Sequence, residues 1–268
     1  MVTNNWFTTN LSQRSSTNLC DFEICINPYE FKPDTFNNNA NRLAKKLYEE
    51  YDNLYLTYSG GIDSEFVLDT FYKLGLPITP IIMVTPYNMV ESQYAFKYCN
   101  ERKIRYEVLS YTKEKILTEL YKKTYNRGWF APLGGIPLIA CDEVNKVGGK
   151  LLTGYGECFK SEKNDPDGQL STLLDFCEWD YYLDEYDSSH PSGFFCYDLP
   201  LFHSMFTSIS YEKSTQQAKY ELYGLEPRPK MYWDDEFYYI AGQLAHINYR
   251  PDYHIQKTEL LELLDSCK

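Results

Sequence analysis

Ser59-Gly60-Gly61-Ile62-Asp63-Ser64 places two hydroxyls, two adjacent glycines and a carboxylate shortly after the apolar run Leu54-Tyr55-Leu56. Adjacent glycines let the backbone turn tightly and present its N–H groups. If a helix starts at this point, its N-terminus adds a partial positive charge. With the hydroxyls of Ser59 and Ser64 as further donors, the segment reads as a phosphate site. Asp63 would repel a bound phosphate unless a divalent cation lay between them, so it reads as a magnesium ligand. A strand-to-helix turn with no ligand is the alternative reading.

Ser59–Ser64 resembles the PP-loop of the ATP pyrophosphatase superfamily, which includes the synthetase domains of asparagine, NAD and GMP synthesis and enzymes of tRNA thiolation. The segment lacks the Gly-x4-Gly-Lys-Ser/Thr of a Walker A loop and the GxGxxG of dinucleotide-binding folds. The resemblance implies an adenine nucleotide alpha hydrolase-like fold and ATP cleavage between the α and β phosphates. It also implies that Ser59, Gly60, Gly61, Asp63 and Ser64 bind ATP, with magnesium on Asp63.

A second turn, Gly154-Tyr155-Gly156-Glu157-Cys158, follows the apolar Leu151-Leu152. It is similar to a late Gly-x-Gly turn of the asparagine synthetase-like branch. That similarity implies Gly154 and Gly156 against the pyrophosphate and Glu157 as a second magnesium ligand. The acidic pair that follows this turn in that branch is replaced by Cys158 and Phe159, and a plain turn with an exposed Glu157 stays open. By the same resemblance, adenine lies against the end of the second strand, at Met83, Val84 and Thr85, with Val84 central. These residues read equally as core strand. Cleavage at the α phosphorus needs positive charge on the leaving group, and the loop carries no lysine. Arg228 and Lys230, in the proline-stiffened Glu226-Pro227-Arg228-Pro229-Lys230, are the candidate catalytic cations, with Lys160 and Lys163 in competition. A solvated linker is the other reading of that segment.

The elements that must position these residues alternate. Val67, Phe71 and Leu74 form one helical stripe ending near Gly75 and Pro77, and residues 78–84 form a buried strand. A helix over 90–102, a strand over 105–110, helices over 113–126 and 136–147 and a strand over 150–153 follow. This order predicts an α/β, doubly wound, mostly parallel sheet whose ligands lie at the carboxyl ends of the strands. Residues 1–40 read as an extension or hairpin, 41–160 as the ATP-binding domain, and 161–268 as a loop-rich, substrate-facing region with a helical tail. Phe237, Ile240, Ala241, Leu244 and Ile247 mark that tail.

The chain has 268 residues and a net charge of −12, which weighs against nucleic acid as substrate and favours a small molecule. No apolar run predicts a membrane span and no charged-then-apolar leader opens the chain, so a cytoplasmic protein is expected. Its eight cysteines include no CxxC pair and its four histidines no ligand spacing. A persulfide relay of Cys158 with Cys99 or Cys141 is one reading, and buried apolar cysteines the other.

Together these features predict an AMP-forming C–N ligase that takes ATP and magnesium, adenylates a small substrate, releases pyrophosphate and then admits a nitrogen nucleophile. No glutaminase is recognisable, so ammonia, an amine or a separate donor protein would supply nitrogen. A homo-oligomer is compatible with this reading. The alternative is a base-modifying enzyme, such as a tRNA thiolase, that adenylates a base carbonyl. A reductase of adenylylated sulfate fits less well, because Ile62 stands where its loop has lysine. A non-catalytic nucleotide sensor is disfavoured by the retained serines and aspartate.

Overall fold

Alternation along three short strands sets the layers. Leu54 and Leu56 of β4 (Leu54–Thr57), Ile82 of β5 (Thr79–Val84) and Leu152 of β7 (Lys150–Thr153) enter one buried cluster. Their neighbours Ile81, Met83 and Leu151 face the opposite side and enter two other clusters. Side chains with period two that are apolar on both faces demand a sheet covered on both sides. The computed structural model describes residues 2–3, 6–11, 21–27, 29–124, 135–156, 183, 186–209, 214–228 and 252–255.

β6 (Glu107–Ser110) and β8 (Ser192–Gly193) complete a five-stranded parallel sheet in the order β6-β5-β4-β7-β8. One face is covered by α1 (Phe36–Glu50), α2 (Ile62–Lys73), α3 (Met89–Arg102) and α6 (Leu199–Ser208). The other is covered by α4 (Lys113–Thr124) and α5 (Gly135–Lys146). The α/β, parallel-sheet expectation therefore describes the fold. The chain leaves β4 toward β5 and leaves β7 toward β8, so the strand order reverses between two adjacent strands and opens a crevice above their carboxyl ends.

The packing does not follow the expected boundaries at 40/41 and 160/161. β8 and α6 come from beyond residue 160 yet complete the central sheet and its core, and Trp6 and Phe7 are fully buried in the same core. Residues 199–208 were expected to be loop-rich and are helical. Asp198 caps them by accepting the Leu201 N–H at 3.0 Å, and Pro200 falls in the first turn, where its missing N–H is harmless. A smaller sheet, β1-β2-β3-β9, pairs Val2–Thr3, Phe7–Leu11 and Asp21–Ile26 antiparallel and sets Asp252–Ile255 parallel to the last of these. The expected helical stripe from Phe237 to Ile247 lies outside the described residues.

The cluster formed by Cys141, Asp187 and His190 has ligand-type atoms within 4.8 Å of one another, and its hydrogen bonds identify it as structural. The Leu151 N–H donates to His190 Nδ1 at 2.8 Å, which leaves the proton of the neutral ring on Nε2. Nε2 faces both Cys141 Sγ at 3.0 Å and Asp187 Oδ2 at 3.3 Å. A nitrogen that carries a proton offers no lone pair to a metal. A nucleophilic triad would also need the acid on the opposite nitrogen. Burial holds the His190 proton affinity below its ordinary value, with Asp187 opposing. The unfolded chain therefore binds this proton more tightly. The stabilisation is complete above the ordinary histidine value of about 6.5 and is lost as pH falls below it. Denaturant midpoints across that range are expected to fall with acid more steeply in wild type than in His190→Gln. Parallel slopes would contradict this.

Candidate functional site

The crevice is built by two glycine turns that meet at the start of α2. After β4 the chain passes through Gly60 at φ +87°, a conformation that favours glycine. A side chain there would also come within 2.7 Å of the Glu91 carbonyl oxygen on α3. Gly61 is the N-cap of α2 and contributes no side-chain hydrogen bond, so no capping side chain competes with an anion for the first-turn N–H groups. Ser59 Oγ accepts the Gly61 N–H at 3.0 Å, and the Ser64 hydroxyl donates to the Gly61 carbonyl at 3.1 Å. The two hydroxyl oxygens lie 3.4 Å apart and brace the loop from within.

From the neighbouring strand, Gly154 presses against the same helix start. A Cβ on it would lie 2.8 Å from the Ser64 nitrogen and 2.9 Å from its Cα. Gly156 follows at φ +94°. The structure thus brings Ser59, Gly60, Gly61, Asp63, Ser64 and Gly154 to one place, with Gly156 two residues further along the second turn. Val84 lies at the carboxyl end of β5, where its carbonyl accepts the Tyr111 N–H at 2.9 Å. The next N–H, of Thr85, is held by Asn88 Oδ1 at 2.8 Å, so much of this backbone edge is already engaged. Glu157, Lys160, Lys163 and Lys230 lie outside the described residues.

The cation beside the loop is one that sequence reading did not nominate. Lys219 projects from α7 (Thr215–Tyr223), and its Nζ lies 3.0 Å from Asp63 Oδ1 and 3.1 Å from Oδ2. Tyr223, one turn further on the same face, donates its hydroxyl to Asp63 Oδ1 at 2.7 Å. The Lys219 side chain is only 7% exposed, so its charge is set deep beside the loop. The signal for α7 is present in the sequence: Ser214 accepts the Gln217 N–H as an N-cap, and Gly224 closes the helix at φ +65°. The Tyr223 ring stacks on Phe66 of α2 at 4.6 Å and extends to Phe195 and Phe36, which docks α7 against α2.

Arg228 reaches α2 at a different point. Its Nη1 lies 2.8 Å from Glu65 Oε2, which also accepts the Tyr58 hydroxyl at 3.1 Å. The guanidinium stands 5.6 Å over the Tyr94 ring, and the Arg228 carbonyl accepts the Tyr220 hydroxyl at 2.9 Å. Arg228 therefore ties the segment after α7 to α2 and α3. Its charge is matched by a buried carboxylate and not directed at Asp63. Arg228→Ala is expected to cost about 3–5 kcal/mol in equilibrium unfolding, because Glu65 would be left buried without its counter-ion. Adding Glu65→Gln should restore much of that loss. A single-variant cost below about 1 kcal/mol would place the pair among weak surface bridges.

Cys99 and Cys141 are both buried, and burial pushes each thiol up to about 12. Burial disfavours the thiolate form of both, which weighs against them as partners in a persulfide relay and supports the reading as buried apolar cysteines. Cys158 lies outside the described residues. Among the described residues no helix is long and apolar enough to cross a membrane.

No family model and no curated protein sequence matches the chain. Among solved structures it is similar to a glutamine-dependent NAD+ synthetase from Acinetobacter baumannii in complex with ADP. The identity is 15% and the TM-score 0.37, over 50% of this chain and 28% of that one. An NH3-dependent NAD synthetase from Campylobacter jejuni subsp. jejuni matches at 14% identity and a TM-score of 0.37, over 74% of this chain and 100% of that one. An NMN synthetase from Francisella tularensis matches at 13% and 0.38, over 81% and 97%. Likeness at this level carries no argument about chemistry, which rests on the geometry above.

Proposed function

We propose that the chain is a PP-loop ATP pyrophosphatase acting as an AMP-forming C–N ligase on a small-molecule carboxylate. One observation carries this reading: the Ser59–Ser64 loop and the Gly154 turn converge on the first turn of α2 with a buried lysine beside them. Such a cradle suits a polyphosphate, because backbone N–H groups, a helix N-terminus and an ammonium all favour negative charge there.

On this reading the phosphates of ATP lie over Gly60, Gly61 and Ser64, with Gly154, packed against the Ser64 backbone, and Gly156 bordering them on the second side. Val84 and its neighbours border the adenine. A substrate carboxylate oxygen attacks the α phosphorus. The bond to the bridging α,β oxygen breaks, and pyrophosphate leaves with that electron pair. Lys219 meets the charge that builds on the leaving group, whereas the Arg228 guanidinium is matched by Glu65. Ammonia or an amine then attacks the acyl carbon and loses a proton, and AMP departs with the substrate oxygen. The chain's contribution is positioning and charge stabilisation.

The oxygen donors at the loop are of the kind magnesium takes. Asp63 offers a carboxylate at the loop, and Glu91 Oε1 lies 4.0 Å from where a Gly61 side chain would begin. One or two carboxylates with phosphate oxygens are the usual magnesium set. Asp63, with Glu91 or Glu157, would hold the ion, which supplies further neutralisation of the departing pyrophosphate.

The test is incubation with ATP labelled at the α phosphate, magnesium and a pooled small-metabolite extract. AMP with pyrophosphate, lost in Asp63→Asn, is the expected result. ADP as the labelled product, or AMP only when tRNA is added, would overturn the ligase reading.

A further inference from the structure

Asp63 is held by two side chains of α7. The Lys219 ammonium straddles both of its oxygens, at 3.0 and 3.1 Å, and the Tyr223 hydroxyl takes a further position on Oδ1 at 2.7 Å. A divalent ion on the same carboxylate would stand against an ammonium that has little water around it, and like charges at such range repel strongly. We propose that Lys219 and Tyr223 lock Asp63 in a cation-excluding ion pair. The nucleotide-free chain then refuses a divalent metal and admits one only together with a phosphate chain that draws Lys219 off the carboxylate.

Three features make this a lock and not a loose surface contact. Lys219 is nearly buried, so moving its charge off Asp63 is costly unless another anion takes over. Its helix is fixed at both ends, by the Ser214 cap and by the Tyr223 ring stacked on Phe66, so the ammonium cannot swing out to solvent by helix fraying. The replacement anion has a defined place, since Lys219 meets Asp63 in the first turn of α2, where the two glycine turns converge. A polyphosphate seated there accepts the ammonium and leaves Asp63 to the metal, an exchange of partners in which no charge is left unmatched. The nucleotide thereby becomes the key to the metal site, and metal alone is turned away. The inference rests on the proposed nucleotide site, and it concerns binding and not turnover.

The experiment is a titration with Mn2+ alone, read from the electron paramagnetic resonance of the free ion, on wild type, Lys219→Met and Tyr223→Phe. Lys219→Met is expected to bind Mn2+ about tenfold more tightly than wild type without nucleotide. The gain should vanish when Asp63→Asn is added. Tyr223→Phe keeps the stacked ring, guards against a misfolded lysine variant, and should give a smaller gain of about threefold. Wild type should acquire Mn2+ when the non-hydrolysable α,β-methylene analogue of ATP is present. Equal Mn2+ affinity in wild type and both folded variants, or wild-type binding of Mn2+ alone as tight as with the analogue, would overturn the lock. If AMP formation fails but the variants still gain Mn2+, the ligase reading falls and the lock stands. If AMP forms and no variant gains Mn2+, the reverse holds.

Discussion

Lys219→Met is expected to lower AMP release from ATP by about a thousandfold while the protein remains folded. The size follows from where the charge sits. An ammonium 7% exposed beside the loop acts with little water to screen it, and single preorganised donors at such positions are worth about two to three orders of magnitude in turnover. Methionine keeps a long unbranched stem along the same path. Asp63 retains the Tyr223 hydroxyl and is itself 25% exposed, so the loss of the ion pair is relieved in part by water. Turnover at saturating ATP, set beside a denaturant midpoint, separates the chemical effect from any stability effect. Turnover within a factor of about ten of wild type would move the leaving-group charge to Lys160, Lys163 or Lys230.

Gly154→Ala is expected to cost about 2 kcal/mol of stability and about a hundredfold in kcat/KM. The added methyl would stand 2.8 Å from the Ser64 nitrogen, 2.9 Å from its Cα and 3.2 Å from the Asp63 carbonyl carbon. All three are helix backbone atoms, which cannot rotate aside as a side chain could. The turn after β7 must therefore back away from α2, and the two walls of the crevice separate. Gly75→Ala is the matched control. It sits at φ +68° with nothing within 4 Å of an added methyl, so it should lose about 1–2 kcal/mol through backbone strain and leave kinetics intact. Equal kinetic losses in the two variants would show that general destabilisation, and not the contact at Ser64, limits activity.

Much of the central sheet is legible in sequence because its signals are local. Apolar runs at Leu54–Leu56 and Leu151–Leu152 flank glycine turns, and the stripe Val67, Phe71, Leu74 marks α2; each lies where the pattern places it. The buried cation beside the loop was not legible. Lys219 is 156 residues from Asp63, and nothing in its immediate neighbours says that it will be buried. Its helix is short, and a lysine between Ala218 and Tyr220 looks like an ordinary solvated face. Arg228 stands out because prolines surround it, yet its guanidinium meets Glu65, a carboxylate 163 residues away that no local pattern connects to it. The fifth strand was missed for a related reason. Ser192–Gly193 is only two residues long, with no apolar alternation to announce it, and it is defined by pairing with Leu152 and Thr153.

The burial of Trp6 bears on how the chain is made. Its indole N–H donates to the Cys196 carbonyl at 2.9 Å, and its ring packs on Phe202 at a centroid distance of 5.0 Å. Both partners are synthesised about 190 residues later. On a ribosome adding about 5–20 residues per second, Trp6 and Phe7 wait on the order of ten seconds or more for the surface that shelters them. The last strand of the central sheet is delayed with it, so closure is governed by contacts between distant parts of the chain, the regime in which folding is slow. During that interval Trp6 and Phe7 are the groups a chaperone would find, because they are translated long before the surface that encloses them.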